Sequence, residues 1–143
     1  MPTITIRTVP CSPSRRRAVA VRLTRWLTDH GVPPAHVVVR FEEQPEQTTF
    51  TGGLPLEALP HRPGVLRHAA VTCCVGPDRD ERFRAGLAAE IADALGAGPD
   101  TPFFYLEFRP TSPADVYLAK RGVLRRADGP EHAPAEPTGR KTT

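Results

Sequence analysis

The stretch GVPPAHVVVRFEEQP, Gly31 to Pro45, recurs later in the chain as GAGPDTPFFYLEFRP, Gly96 to Pro110, and the two align without a gap. Both begin with glycine and end with proline, and they also share one internal proline and one glutamate. The residues before each final proline are mostly β-branched or aromatic, which is typical of a strand. Recurrence at a fixed spacing indicates a chain built from two copies of one unit.

Each copy reads as strand, helix, strand. In the first copy, Ser12 is a good helix N-cap, Pro13 suits the first helical position, and Gly31 suits the helix end. Apolar residues recur there at helical spacing, and again in the second copy. The predicted segments are, in chain order, strand Thr3–Val9, a helix with the stripe Val19, Leu23, Trp26 and Leu27, strand Val37–Glu43, strand His68–Val75, a helix with the stripe Phe83, Leu87, Ile91, Ala94 and Leu95, and strand Phe103–Arg109.

A helical crossover makes the two strands of each unit parallel. We therefore predict an α+β fold in which a tandem βαβ repeat forms one four-stranded sheet with both helices on one face. The predicted domain spans 1–127, with repeat one at 2–64 and repeat two at 65–122. Residues 128–143 are Pro-rich and polar, which predicts a disordered tail.

The other face of that sheet is left without helices. Strand alternation places Val38, Arg40, Phe103 and Tyr105 together on one face. We expect the uncovered face to carry apolar surface, and a sheet covered on one side only is most simply buried by oligomerisation. The prediction is a trimer with these faces turned inward.

Composition narrows the function. The net charge of +3 comes from the last 24 residues, because residues 1–119 hold 13 basic and 13 acidic side chains. A neutral body argues against nucleic-acid binding. No apolar run is long enough to cross a bilayer and no secretory signal is evident, so we expect a cytoplasmic protein without a membrane partner. The three cysteines, Cys11, Cys73 and Cys74, have no metal-site or disulfide spacing and are expected to be buried free thiols.

The Met-Pro start, with Pro2 leading into a strand, and a βαβ unit that occurs twice in tandem resemble the tautomerase superfamily. The stretches Phe41-Glu-Glu-Gln-Pro45, Phe50-Thr-Gly-Gly53, Leu87-Ala-Ala-Glu-Ile91 and Tyr105 to Pro110 are similar to the cis-3-chloroacrylic acid dehalogenase group of that superfamily. The resemblance covers about residues 2–122. It implies a homotrimer, a small carboxylate substrate, and catalysis by an N-terminal proline without metal or organic cofactor.

The resemblance assigns roles residue by residue. Pro2 corresponds to the catalytic proline, Arg79 to the second of two carboxylate-binding arginines, and Tyr105 to the tyrosine of the last core strand. The first arginine falls on Gly76 and is missing. The group's histidine falls on Leu27, one turn before His30, and its glutamate falls on Val116, beside Asp115. These departures argue against dehalogenation and leave a proline-centred site.

The residue chemistry agrees with these roles but leaves alternatives open. Once Met1 is removed, Pro2 carries a secondary amine that acts as base, acid or nucleophile, or else merely starts an edge strand. Arg79, placed in the first turn of the second helix, binds a substrate carboxylate or pairs with a neighbouring acid. Tyr105 donates to an enolate oxygen or packs in an interface. Arg40, its counterpart in the first repeat, is a candidate to enter a partner subunit's pocket, or else stays on the exposed face. Further candidates for substrate binding, each with a purely structural alternative, are Val38, Phe103, His30 and Asp115.

Two classes of function follow. The first is a cofactor-independent enzyme that tautomerises a small 2-oxo acid, or adds water to an unsaturated one. The alternative is a non-catalytic trimeric binding or scaffold protein of the same fold. A ferredoxin-like module that binds a small ligand shares the βαβ pattern and is a third reading.

Overall fold

The computed structural model describes residues 2–132. Six elements form the two predicted units: β1 (Thr3–Thr8), α1 (Pro13–Asp29) and β2 (Val38–Glu43), then β5 (His68–Val75), α2 (Glu81–Leu95) and β6 (Phe103–Pro110). Two short hairpins complete the structure, β3 (Phe50–Thr51) with β4 (Leu54–Pro55) and β7 (Tyr117–Lys120) with β8 (Val123–Arg126). No helix among these residues is long and apolar enough to cross a membrane.

The predicted four-stranded sheet is confirmed, with strand order β2-β1-β5-β6. Strands within each unit are parallel, as a helical crossover requires. The two units join through an antiparallel pair, in which Thr3 lies opposite Cys74 and Thr8 opposite Ala69. The repeats are therefore related by a pseudo-two-fold axis through the middle of the sheet, with both helices on one face.

Both helices begin where a side chain caps their free N–H groups. The Ser12 hydroxyl accepts a hydrogen bond from the Arg15 backbone N–H at 3.2 Å, and Asp80 accepts one from the Phe83 N–H at 2.8 Å. At the other end of α2, Gly96 adopts the left-handed conformation with φ of 79°, which glycine takes without a steric penalty. The helix start predicted at Ser12 and Pro13 is confirmed.

The core lies between the helices and one face of the sheet. Ile4 and Ile6 of β1 meet Leu23 of α1 and Ile91 of α2, and all four are fully buried. Each such side chain contributes about 1.5–3 kcal/mol of transfer free energy. Cys73 is also fully buried there, and burial raises the pKa of its thiol to about 12. The prediction of a buried thiol therefore holds for Cys73, whereas Cys11 and Cys74 are half-buried.

The two helices are in close contact at Gly86. A Cβ atom on Gly86 would lie 3.0 Å from the Trp26 ring, so only glycine admits this approach without a shift. Beside the contact, Arg22 of α1 pairs with Glu90 at 2.7 Å and with Asp93, both on α2. These contacts fix the spacing of the helices, and with it the positions of the loops at their ends.

The open face of the sheet differs from expectation. The register does place Val38, Arg40, Phe103 and Tyr105 on one face, as predicted. That face is more polar than expected, because threonines and ion pairs share it with Val38, Phe103 and Tyr105. Most apolar side chains of the same strands pack toward the helices, and the open face carries two close ion pairs, Arg7–Glu42 at 2.7 Å and Arg109–Glu107 at 2.6 Å.

The chain beyond β6 contains structure that the sequence did not predict. β7 and β8 form a hairpin whose turn, Arg121-Gly122, has positive φ at both residues, as a tight hairpin turn requires. A 3-10 turn then spans Pro130–His132. The folded part thus extends past the predicted boundary at 127 as far as His132, because Ala127 and His132 are both buried. Residues 133–143 of the predicted tail lie outside the described residues.

His68, at the start of β5, makes the stability of the protein depend on pH. Burial lowers the pKa of His68 below its ordinary value of 6.5, although nearby Glu57 opposes the shift. Below pH 6.5 the unfolded chain binds a proton that the folded chain excludes, so the free energy of unfolding falls as the pH drops, by at most about 1.4 kcal/mol per unit. Between pH 7.5 and 5.5, the free energy of unfolding measured with urea should fall more for wild type than for His68→Gln. Exposed His61→Gln serves as the control, and parallel curves for wild type and His68→Gln would contradict this account.

Candidate active site around Pro2

Pro2 lies at one end of the sheet, directly before β1, and is buried. Its carbonyl accepts a hydrogen bond from the Val38 N–H at 3.0 Å, which continues the β1–β2 pairing by one residue. β1 is an inner strand, so Pro2 does not begin an edge strand. The position of this residue is therefore set by the core of the sheet.

A cavity of about 370 Å³ opens at Pro2. Four segments form its walls: the loop after α1, the turn before α2, the start of the chain after β6, and the segment that follows β8. The lining residues are Pro2, Gly31, Val32, Pro33, His36, Arg79, Pro113, Ala127, Asp128, Gly129 and His132. A volume of this size accommodates a small organic ligand.

Arg79 is the predicted site residue that shares this cavity with Pro2. The sequence predicted that Arg79 lies in the first turn of α2, but Arg79 precedes the N-cap Asp80. Its guanidinium carbon lies 4.5 Å from the centre of the Phe83 ring, a favourable cation–π distance. Among the side chains that the structure describes, no carboxylate lies within 4 Å of the Arg79 guanidinium, so pairing with neighbouring Asp78, Asp80 or Glu81, the expected alternative, is not observed.

His30 supports Arg79 only from a distance. It caps the end of α1, where its ring stacks on Trp26 at 3.7 Å and its Nδ1 lies 2.7 Å from the Trp26 carbonyl oxygen. Trp26 in turn contacts Phe83, and the Arg79 guanidinium lies over the Phe83 ring. His30 itself does not line the cavity. The aromatic series thus connects the end of α1 to the arginine, and His30 does not enter the Pro2 site.

The other candidates lie elsewhere in the single chain. Tyr105 is 51% exposed on the open face, and its hydroxyl is 3.5 Å from Glu107. From the rise per residue and the distance between strands, Tyr105 lies on the order of 15 Å from Thr3, the residue after Pro2. Phe103 lies farther still along β6, and exposed Arg40 faces Glu42 at 4.0 Å.

Val38 and Asp115 lie close to the site without lining it. Val38 is hydrogen-bonded to Pro2 through its backbone. Asp115 is exposed and ends the 3-10 turn that begins at Pro113, a residue of the cavity wall. Within one chain, the structure therefore brings together Pro2 and Arg79 of the predicted set, and places the remainder outside the cavity.

Two histidines in the cavity wall were not predicted. His36 ends a 3-10 turn before β2, and its ring lies 5.6 Å from that of His132 at an interplanar angle of 65°. His132 is only 4% exposed. The sequence carries no signal for this pair, because the two residues are far apart in the chain and only the fold of the last segment joins them. Among residues 2–132, no three His, Cys, Asp or Glu side chains group as a metal site.

The charges around the cavity favour an anion. Asp128 is an acid in the wall, but Arg126 binds it through two hydrogen bonds at 2.6 and 3.0 Å. That contact lowers the pKa of Asp128 and also compensates its charge. Among the described lining residues, Arg79 therefore provides the positive charge that no acid compensates, beside two imidazoles.

The repeat produces a second cavity at the opposite end of the sheet, with a volume of about 330 Å³. It is bounded by Arg15 near the start of α1, by Gly96 after α2 and by Leu66 before β5, which are the pseudo-symmetric counterparts of the walls around Pro2. When the two repeats are aligned on their shared stretch, Arg67 stands where the first repeat has Pro2. The second cavity therefore lacks a proline at the position equivalent to Pro2.

Solved structures share this architecture. Native fused 4-OT superposes with a TM-score of 0.62 at 20% identity, over 87% of this chain and 97% of that chain. A member of the cis-3-chloroacrylic acid dehalogenase family gives 0.63 at 17% identity, over 85% and 82% of the two chains. Macrophage migration inhibitory factor of Toxoplasma gondii gives 0.60 at 18% identity, over 86% and 99%.

Two further fused 4-OT structures are a symmetric and an asymmetric trimer. No protein-family model and no curated protein matches the chain in sequence. The chain has the fold of the tautomerase superfamily. More particularly, it has the two-repeat form of that fold, the form that the sequence resemblance implied.

Proposed function

We propose that the protein is a cofactor-independent tautomerase that acts on a small 2-oxo carboxylic acid through the amine of Pro2. The observation that carries the proposal is a buried proline, second in the chain, in one cavity with an arginine that has no carboxylate partner among the described residues. Removal of Met1 converts the nitrogen of Pro2 from an amide into a secondary amine at the base of that cavity.

The surroundings suit an amine that acts as a base. An amine withdrawn from water, near the positive charge of Arg79, is held in its neutral form, which carries the reactive lone pair. In ketonisation of an enol, that lone pair takes the proton of the C2 hydroxyl as the C2 carbonyl forms. The resulting ammonium returns the proton to C3, where the electrons of the former double bond form the new C–H bond. One proton moves from oxygen to carbon, and the amine is regenerated.

Arg79 supplies the contact for the substrate's carboxylate. A guanidinium offers two parallel N–H donors to a carboxylate, which fixes the orientation of the acid as well as its affinity. The stack of Arg79 on Phe83 restricts the side chain before the ligand arrives. Tautomerisation is favoured over water addition because Asp115, the acid next to the position of the group's glutamate, is outside the cavity wall.

A non-catalytic role is the second candidate. Gly76 stands where the resemblance expects the first of the two arginines, and Tyr105 is remote from Pro2 within one chain. A trimeric scaffold or binding protein of this fold needs neither residue. The Pro2 experiment separates the two candidates, since a scaffold has no need of the amine.

Blocking the Pro2 amine tests the enzyme directly. A variant with one alanine inserted before Pro2 keeps every other side chain and turns the amine into an amide without a basic lone pair. Ketonisation of phenylpyruvate enol should slow about 10²- to 10⁴-fold, the usual contribution of a general base. Intact mass must show that wild type lacks Met1, and circular dichroism must show that both proteins fold alike. Equal rates for the blocked variant and wild type would show that another group does the chemistry.

Removing Arg79 should weaken binding of the carboxylate more than it slows turnover at saturation. Loss of a charge-assisted contact costs about 1.5–3 kcal/mol, so Arg79→Ala should raise the Michaelis constant roughly 10- to 150-fold. Arg82→Ala, which removes an exposed arginine of α2, is the matched control for net charge. An unchanged Michaelis constant in Arg79→Ala would exclude the arginine as the anchor.

We further propose a homotrimer, supported by the trimeric fused 4-OT structures and by the uncovered sheet face. Sedimentation equilibrium at micromolar concentration should give roughly 47 kDa, three times the 15.6 kDa chain. Because the uncovered face carries ion pairs, Arg109→Ala should weaken assembly more than Arg121→Ala, which removes an exposed arginine of the β7–β8 turn. A monomer as the sole species would exclude the trimer, and would leave Tyr105 too far from Pro2 to take part.

A further inference from the structure

The imidazole of His132 is a buried polar group with an unused hydrogen-bonding atom. The residue is 4% exposed, and its Nε2 is buried without a hydrogen-bond partner among the described residues. One other buried side-chain atom of residues 2–132 has the same status, Glu57 Oε2, which does not lie in this cavity. Native proteins rarely leave such an atom unpaired, because its lost hydration is not repaid.

Several contacts hold His132 in place. The Ala127 N–H donates to the Val116 carbonyl at 2.7 Å, which ties the end of β8 to the chain before β7. The Gly129 N–H donates to the Arg126 carbonyl and the His132 N–H donates to the Gly129 carbonyl, both at 3.0 Å. These bonds form the turn that brings the imidazole into the wall of the Pro2 cavity.

The surroundings leave a ligand as the partner for Nε2. His36 meets the ring of His132 through an aromatic contact, with the centroids 5.6 Å apart. Asp128, the acid in the same wall, is held by Arg126. Of the described lining residues, Arg79 is the remaining charged one, and it is a donor only.

We propose that His132 is a substrate-binding residue of the Pro2 site, whose Nε2–H donates a hydrogen bond to the C2 oxygen of a 2-oxo acid. The inference rests on the proposed function and deepens it. The substrate's carboxylate lies on Arg79, its C2 oxygen on His132, and C3 faces the Pro2 amine. As the proton moves between oxygen and C3, negative charge gathers on the C2 oxygen, and the imidazole N–H stabilises it.

This arrangement specifies the substrate class. A carboxylate on Arg79 next to an oxygen on His132 requires an acid whose oxo or enol group is adjacent to the carboxylate. The donor also supplies what Tyr105 does not supply within one chain, which is a hydrogen bond to the oxygen that carries the charge. A 3-oxo acid, whose oxygen is one carbon farther from the carboxylate, should be a poorer substrate.

Two substitutions separate the hydrogen bond from the packing. His132→Phe keeps a ring but has no donor, and ketonisation of phenylpyruvate enol should lose about 10²-fold in kcat/KM. His132→Gln places an amide N–H near the position of Nε2 and should keep activity within about tenfold of wild type. His61→Phe, a change at an exposed histidine, is the control. Full activity in His132→Phe, or equal losses in the Phe and Gln variants, would overturn the proposal.

A binding measurement distinguishes this proposal from the proposed function. Phenylglyoxylate is a 2-oxo acid without a hydrogen at C3, so it binds without reacting. In ¹⁵N spectra of imidazole-labelled protein, it should shift the Nε2 resonance of His132, assigned by its loss in His132→Gln, and leave that of His61 unchanged. No shift at saturating phenylglyoxylate overturns the role of His132, even if wild type is active. A shift in a protein without ketonisation activity upholds the contact and overturns the tautomerase instead.

Discussion

The antiparallel pairing of β1 with β5 is the constraint on which the site depends. It turns the second repeat end over end, so that the start of β1 lies beside the end of β5. Pro2 and the turn that carries Arg79 thereby lie at the same end of the sheet. The parallel partners bring the start of β2 and the end of β6 to that end as well. A parallel pairing of the two units would have separated Pro2 from Arg79 by the length of the strands.

The same symmetry gives the described part of the molecule two similar cavities, which differ at the position that Pro2 occupies in one of them. Gly31 and Gly96 follow the two helices in equivalent places, and Arg79 and Arg15 stand near the starts of the opposite helices. The repeats differ at one decisive position, where Arg67 in the second copy takes the place of Pro2. An amine at a chain terminus cannot be duplicated by an internal repeat, so the chemistry proposed for Pro2 belongs to one end of the sheet.

The segment after β6 closes the cavity at Pro2. It contributes Pro113 and the run from Ala127 to His132, and it carries the polar group that faces the proposed substrate oxygen. In the proposed site, the repeats supply the base and the anion contact, and this non-repeated segment adds specificity. His132 and Pro2 stand at opposite ends of the described chain, and the β7–β8 hairpin turns the chain back so that the two meet in one cavity.

Much of the architecture was predictable from the sequence. Alternating apolar residues, the Ser12 position before the first helix, and the duplicated stretch ending at Pro45 and Pro110 determine strands and helices through local physics. Pro2 was predictable as a candidate because its chemistry comes from its place in the chain. The hairpin at Arg121-Gly122 had a turn signal in its glycine, which a search for periodic apolar residues does not detect.

The polar character of the open face and the membership of the cavity were decided by the tertiary structure. Register fixes which side chains face the helices, and strand order fixes which loops meet. His132 joins Pro2, while Tyr105 lies at a distance within the chain. Local sequence patterns are enough to specify two βαβ units and the proline that precedes the first strand. Only the packing of distant segments decided which residues surround that proline, because contacts between such segments leave no periodic trace in the chain.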